Sequence, residues 1–487
     1  MEPLVDHETR GSTIILSVCL NSLKPLTQRH PLPILSIASS ATPGRFRLID
    51  CDQFLYHHSL TVHEFCEFPV PETAYAAISY IWRGNSVDES LVGARFSIAG
   101  AEDGDPVGVE VLRHACTAAL LHNIYEGCAV CFIFPGGIQR LVCLDEPTAW
   151  IHRAWTLQEA LAPPCVEVVY RWTLGRGMYV GLYRGDIHEL IPGESAITPL
   201  RALLGLNIFP EVTFIGSKDP IPFRTTIFGL PTGSTPPYWP EHRTEIVISM
   251  FQNALPHGDG PTFNQRAPAI WRSMLFRTSS RPVDMIFSIM GLFGVTLDPR
   301  AFEPDDRLDA TVALMRAILK RPGGRASWLG VAPYLPPHPR LSTIPNFPHT
   351  SVDGKVELEL DFAPEIGERS QNQPLDQVLS QQRLSVLDTR SISMPTGSVD
   401  EAGYLCISRP VFPGLTLGKS VNYLLADLIL TLWQDEPGLM KKNEQRKKED
   451  NGIILNWYYR CLEFVDLDVI WIFEATHSTG ISWARPC

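Results

Sequence analysis

The stretch from Thr148 to Ala162 carries the densest set of side chains able to do chemistry. Taken as a helix, at about 100° per residue, it places Trp150, Ala154, Leu157 and Leu161 on one face and His152, Trp155, Thr156 and Glu159 on the other. A carboxylate beside an indole and an imidazole, drawn partly out of water, has the ingredients of a general base or of a grip on a ribose hydroxyl. A structural reading accounts for the same face: it packs under proline-rich loops, with Glu159 paired to an arginine such as Arg153 or Arg83. Upstream, Tyr75 to Trp82 is β-branched and aromatic and ends at Arg83-Gly84-Asn85. It reads as a strand closed by a turn, where binding side chains often gather.

Three further patterns carry less. Gly414 to Ser420 has three residues between its glycines where a phosphate-cradling loop needs four, so the amide nest would be incomplete. Gly175-Arg176-Gly177 follows a strand, but Val180 at the third glycine position of a dinucleotide fingerprint leaves a turn. Among His114, Cys116, Cys128, Cys131 and Cys143, only Cys128 and Cys131 have zinc-ligand spacing, and strand alternation turns them to opposite faces. They read as core thiols, and no metal is expected.

The elements that must position these residues follow from pattern and composition. At about 150 residues per domain, 487 residues suggest about three domains or one large embellished one. With 45% hydrophobic and 19% charged residues the chain is globular, and its 41 prolines announce long connections. A net charge of −12 gives no global attraction to phosphate, so nucleic acid is not an expected partner. No apolar run reaches the roughly 18 residues of a membrane span. The short run Thr13 to Leu20 follows Glu2, Asp6 and Glu8, which is unlike a signal peptide, so a cytoplasmic location is expected. Eleven scattered cysteines suit reduced thiols.

A strand is expected at Arg45–Ile49, a helix at Glu110–His122, a strand at Cys128–Phe134, a helix at 148–162 and a strand at Val166–Trp172. The alternation from 75 to 172 favours an α/β fold with a parallel sheet. Helical patterns follow at 241–255, 267–277, 283–293 and 306–320, and another at 420–434. Residues 368–383 form a polar run, and Lys441 to Asp450 a solvated one. The expected organisation is therefore an irregular lead-in over 1–44, an α/β domain over 45–175, a proline-rich connection over 176–240, a helix-rich region over 241–330 and a proline-rich, mixed part over 331–487.

Tyr75-Ala76-Ala77-Ile78-Ser79-Tyr80-Ile81-Trp82, followed by Arg153-Ala154-Trp155-Thr156-Leu157-Gln158-Glu159, resembles the first and last motifs of the fungal heterokaryon incompatibility (HET) domain. Ile124 to Cys128 and Pro135-Gly136-Gly137 are also similar to the family. Ser280 to Leu292 resembles a segment that commonly follows the domain. The resemblance spans about 45–175, and more loosely 265–300.

It implies a role in nonself recognition, with the chain as an effector of programmed cell death and with protein partners in an incompatibility pathway; self-association is a further expectation. The family fold is distantly like Toll/interleukin-1 receptor (TIR) domains and flavodoxin-like, and some TIR domains cleave NAD with a glutamate. By that analogy Glu159 is the catalytic candidate, NAD the substrate, and Tyr80, Trp82, Arg83, Gly84, His152, Arg153, Trp155 and Gln158 the binding residues. One family feature is absent: Leu121-His122-Asn123 runs straight into Ile124-Tyr125, without the usual strand bearing an aspartate and a Cys-Ile-Gln-like stretch. The chain is then either a degenerate, non-catalytic interaction protein or the product of a gene reading that lost an exon, because the loss removes a loop where open parallel sheets bind ligands.

Overall fold

The computed structural model describes residues 12–23, 32–66, 75–87, 93–123, 130–181, 184–208, 211–216, 219–229, 240–256, 262–275, 277–331, 337–338, 341–350, 356–360, 371–374, 396–401, 403–407, 411–414 and 470–473. Two compact units divide the chain: Met1–Ile151 with Ala162–Thr232, and His152–Leu161 with Gly233–Cys487.

In chain order the first unit opens with β1 (Ser12–Cys19), β2 (Ile34–Leu35), β3 (Phe46–Ile49), α1 (Cys51–Tyr56) and β4 (Ser59–Phe65). It continues with β5 (Ala76–Tyr80), β6 (Arg95–Ile98), β7 (Val107–Gly108), α2 (Val109–Asn123) and β8 (Val130–Phe134). After α3 (Thr156–Leu161), which falls in the second unit, come β9 (Cys165–Arg171), β10 (Gly177–Val180), β11 (Arg184–Ile191) and β12 (Ser195–Pro199). The unit ends with α4 (Leu200–Ile208), β13 (Glu211–Ile215) and β14 (Ile221–Arg224). Its main sheet has eight strands in the order β14-β13-β10-β11-β12-β9-β8-β5, flanked by the small sheets β1-β4-β3 and β2-β6-β7.

The α/β class expected from sequence stands, but the sheet is mixed. Only the β5–β8 and β8–β9 pairings in it are parallel, with Ile78 opposite Phe132 and Phe132 opposite Glu167; from β9 outward every pairing is antiparallel. The apolar run of β8 is buried at every residue, as befits a strand flanked on both edges and covered by α2. Helix α2 buries Val111, Leu112, Ala115, Cys116 and Ala118 in a core shared with Phe54, Phe132 and Phe134. The described part of 176–240 is sheet and helix rather than bare connection. Prolines misdirect there because Pro222 sits in β14, an edge strand whose missing N–H costs no ladder bond, and Pro199 ends β12.

In the second unit the expected helices appear as α5 (Pro240–Ala254), α6 (Phe263–Met274), α7 (Asp284–Met290) and α8 (Arg307–Lys320). A capping box fixes the start of α6, Gln265 Oε1 accepting from Thr262 N at 2.7 Å. A 3-10 turn, Gly291–Phe293, extends α7 until Gly294 adopts φ +61° and stops it. The indole of Trp271 centres the core, 6.4 Å from Trp328, 5.6 Å from Phe293 and 6.0 Å from Phe347, with Nε1 donating to Ser327 Oγ at 3.0 Å.

The helix expected over 148–162 is not continuous. It is a 3-10 turn at Trp150–His152, an isolated bridge at Arg153 and then α3. Ile124 to Cys128, the helix at 420–434, Lys441 to Asp450, most of Gly414 to Ser420 and most of 368–383 lie outside the described residues. No helix among the described residues is long and apolar enough to cross a membrane.

Candidate functional site

The site residues read from sequence fall into two groups. Tyr80, Trp82, Arg83 and Gly84 belong to the first unit; His152, Arg153, Trp155, Gln158 and Glu159 belong to the second.

The first group lies where β5 ends. Tyr80 is half-buried, opposite Phe134 of β8, while Trp82 is 45% exposed. The chain past Tyr80 is held through its backbone: Gly84 N donates to Asp105 Oδ2 at 2.5 Å, Asn85 N to Gly136 O at 2.9 Å and Asp105 N to Trp82 O at 2.9 Å. Arg83 Nε is committed to Asp103 O at 2.9 Å. Glycine is required here, because a Cβ on Gly84 would collide with the Gly136 carbonyl oxygen, and one on Gly104 would lie 2.8 Å from the Trp82 indole. Below the turn, Asn85 Nδ2 donates to Glu146 Oε1 at 2.8 Å and Arg140 Nη1 to Glu146 Oε2 at 2.9 Å. Burial raises the Glu146 pKa, but the hydrogen bonds from Arg140 and Asn85 outweigh it and hold the carboxyl below its ordinary value. The result is a rigid turn presenting an indole and an already bonded guanidinium.

The second group is organised by a residue the sequence reading missed. Arg277 is completely buried, with Nη1 donating to Arg153 O at 2.9 Å and to Thr156 Oγ1 at 2.8 Å, and Nε to Ser273 O at 3.2 Å. Its Cζ lies 4.8 Å from the centre of the Phe251 ring. Burial pushes its pKa down to about 9, while the charge of Glu159 pulls it up, so the guanidinium stays protonated at neutral pH. Next door, Thr278 N donates to His152 O at 2.6 Å and Ala154 N to Thr278 O at 3.0 Å. These bonds draw the 152–154 backbone out of helical pairing, which is why the expected helix breaks at Arg153. The only signal for Arg277 in the sequence is its place just before Ser280 to Leu292.

Side chains on 152–161 accordingly divide otherwise than a single helix would have them. His152, Thr156 and Leu157 are buried, Arg153, Gln158 and Glu159 half-buried, and Trp155 41% exposed. Sequence suggested Arg153 or Arg83 as the cation for Glu159; in the fold the charge of Glu159 also favours the protonated form of Arg277. Gln158 lies against Gly291, where a Cβ would stand 2.9 Å from Nε2.

Of the zinc candidates, Cys131 is a buried core thiol and His114 sits elsewhere, with Nδ1 2.9 Å from Ser195 Oγ. Glu110, His114 and Glu194 do offer donor atoms within 4.8 Å of one another. Arg113 already bridges the two carboxylates, donating to Glu110 at 2.8 Å and to Glu194, so their charge is met by the chain itself. Burial, helped by the Arg113 charge, lowers the His114 pKa to about 4 against the pull of Glu194 and Glu110.

Comparison with known proteins returns nothing: no family model matches the chain, no curated protein matches it, and no solved structure matches it.

Proposed function

We propose that the chain is a HET-domain protein of fungal nonself recognition, a cytoplasmic effector of programmed cell death that works through protein partners. One observation carries this reading. The segment resembling the last HET motif, Arg153 to Glu159, and the residues leading into the segment resembling the one that follows the domain, Arg277 and Thr278, are bonded to one another inside one unit. Trp155, alone among the apolar side chains of 152–161 in being well exposed, is the natural contact for a partner.

The test is induced expression of the full chain in a filamentous fungus. Growth arrest or death is expected, and Trp155→Ala at equal protein level should relieve it. Unimpaired growth with the wild-type chain present at detectable level removes the effector reading.

A second reading, NAD cleavage with Glu159 as the catalytic carboxylate, is favoured by the half-buried Glu159 standing one helical turn from exposed Trp155. It predicts that NAD falls in the arrested cells and that Glu159→Gln abolishes the fall. Constant NAD during arrest would leave binding as the mode of action.

A further inference from the structure

We propose that Ser12, His63 and Asp50 form an acyl-transfer site that takes esters of apolar acyl groups, with Ser12 as nucleophile, His63 as its base and Asp50 as the residue that positions the imidazole. All three belong to the first unit and to the small sheet β1-β4-β3 with the turn that follows it. Ile14 of β1 and Leu48 of β3 stand directly opposite His63 of the central strand β4. His63 therefore shares one face with Ser12, two residues before Ile14, and with Asp50, two residues after Leu48, whose N–H still pairs with Thr61 O at 3.0 Å. The imidazole spans the gap between them, Nδ1 lying 3.2 Å from Ser12 Oγ and Nε2 3.5 Å from Asp50 Oδ2. A hydroxyl, an imidazole and a carboxylate in that order are the parts of an activated nucleophile.

The surroundings hold this order. Asp50 caps α1, its Oδ1 accepting from Gln53 N at 2.9 Å, which leaves Oδ2 turned to the ring. The Phe65 ring lies 6.4 Å from that of His63. Ser12, His63 and Asp50 are each half-buried, so the site is reachable without being fully solvated. With the ring proton assigned to Nε2, facing the carboxylate, Nδ1 is left to accept from Ser12. The same face supplies the substrate class: Ile14, opposite His63, is 58% exposed, and Phe46, opposite Phe65, is 43% exposed. These apolar side chains suit an apolar acyl chain.

In the first step Ser12 Oγ attacks the ester carbonyl carbon as its proton passes to His63 Nδ1. The bond from that carbon to the leaving oxygen then breaks, and Nδ1 gives the proton to the departing alcohol. Water attacks the acyl-serine in the same way and restores the Ser12 hydroxyl, so one ester and one water become one acid and one alcohol. Asp50 steadies the imidazolium formed in each half.

The test incubates the full chain with a fluorophosphonate probe, maps the labelled peptide and follows hydrolysis of p-nitrophenyl butyrate. The label is expected on Ser12, and Ser12→Ala should remove both label and turnover. His63→Gln should lower kcat by about a hundredfold or more. Asp50→Asn keeps a cap on α1 but withdraws the charge, so it should lower kcat by about tenfold or more with little change in KM. Ser17→Ala, which removes a hydroxyl bonded to Ser59 and Thr61, should leave turnover unchanged. Labelling that misses Ser12, or turnover by Ser12→Ala at the wild-type rate, would overturn the proposal. Faster turnover of p-nitrophenyl acetate than of the butyrate would overturn the assignment to apolar acyl groups. If a variant fails to fold, the label map of the wild-type chain decides.

Discussion

The two units treat a buried basic side chain in opposite ways. In the first, His114 is buried beside Ser195 and gives up its charge, its pKa lowered to about 4. In the second, Arg277 is buried more completely and keeps its charge, because two carbonyls and a hydroxyl accept from it, an aromatic face lies against it and the charge of Glu159 favours its protonated form. A neutral imidazole asks for one partner, whereas a guanidinium organises everything within reach. That is why the 152–161 segment takes its conformation from Arg277 and Thr278, while the Tyr80–Asn85 turn is held by backbone bonds and glycine contacts.

Arg277→Ala leaves the carbonyls of Arg153 and Ser273 without its donors and should cost about 3–5 kcal/mol, read from denaturant unfolding. Arg277→Lys should recover less than half, since one ammonium cannot span the same acceptors. Gly84→Ala forces a Cβ against the Gly136 backbone and should cost about 2–3 kcal/mol.

Acid tests the other pole. The folded pKa of His114 lies below the ordinary 6.5, so the unfolded chain takes up the proton first as pH falls. Stability contributed by neutral His114 is complete above pH 6.5 and drains away toward pH 4, by about 3 kcal/mol. His114→Gln should flatten that slope in pH-dependent melting. Last, Trp82→Ala should change stability by no more than about 0.5–1 kcal/mol, because much of the indole faces solvent, and any larger effect should appear in partner binding.

Much of this was legible without the fold. Apolar stripes at helical spacing marked α2, α5, α6, α7 and α8, and the continuous apolar run of Cys128 to Phe134 marked the strand whose described residues are β8. The site was legible in part. Trp82 and Trp155 stood out as aromatics beside polar residues, and both are exposed. Arg277 did not stand out, since one arginine at the end of an apolar helical pattern looks like any solvated helix terminus.

What the sequence by itself determined was local: which residues turn one face inward, where β5 ends, and that the class is α/β. Periodicity reports a residue's face without reporting its partner. The tertiary structure alone decided that five antiparallel strands extend the parallel trio, because edge position and not proline count settles whether a strand can form. It also decided that the chain leaves the helical path at Arg153. Carbonyls of His152 and Arg153 that a helix would have paired four residues on are taken by Thr278 and Arg277, donors far along the chain that only the folded core brings near.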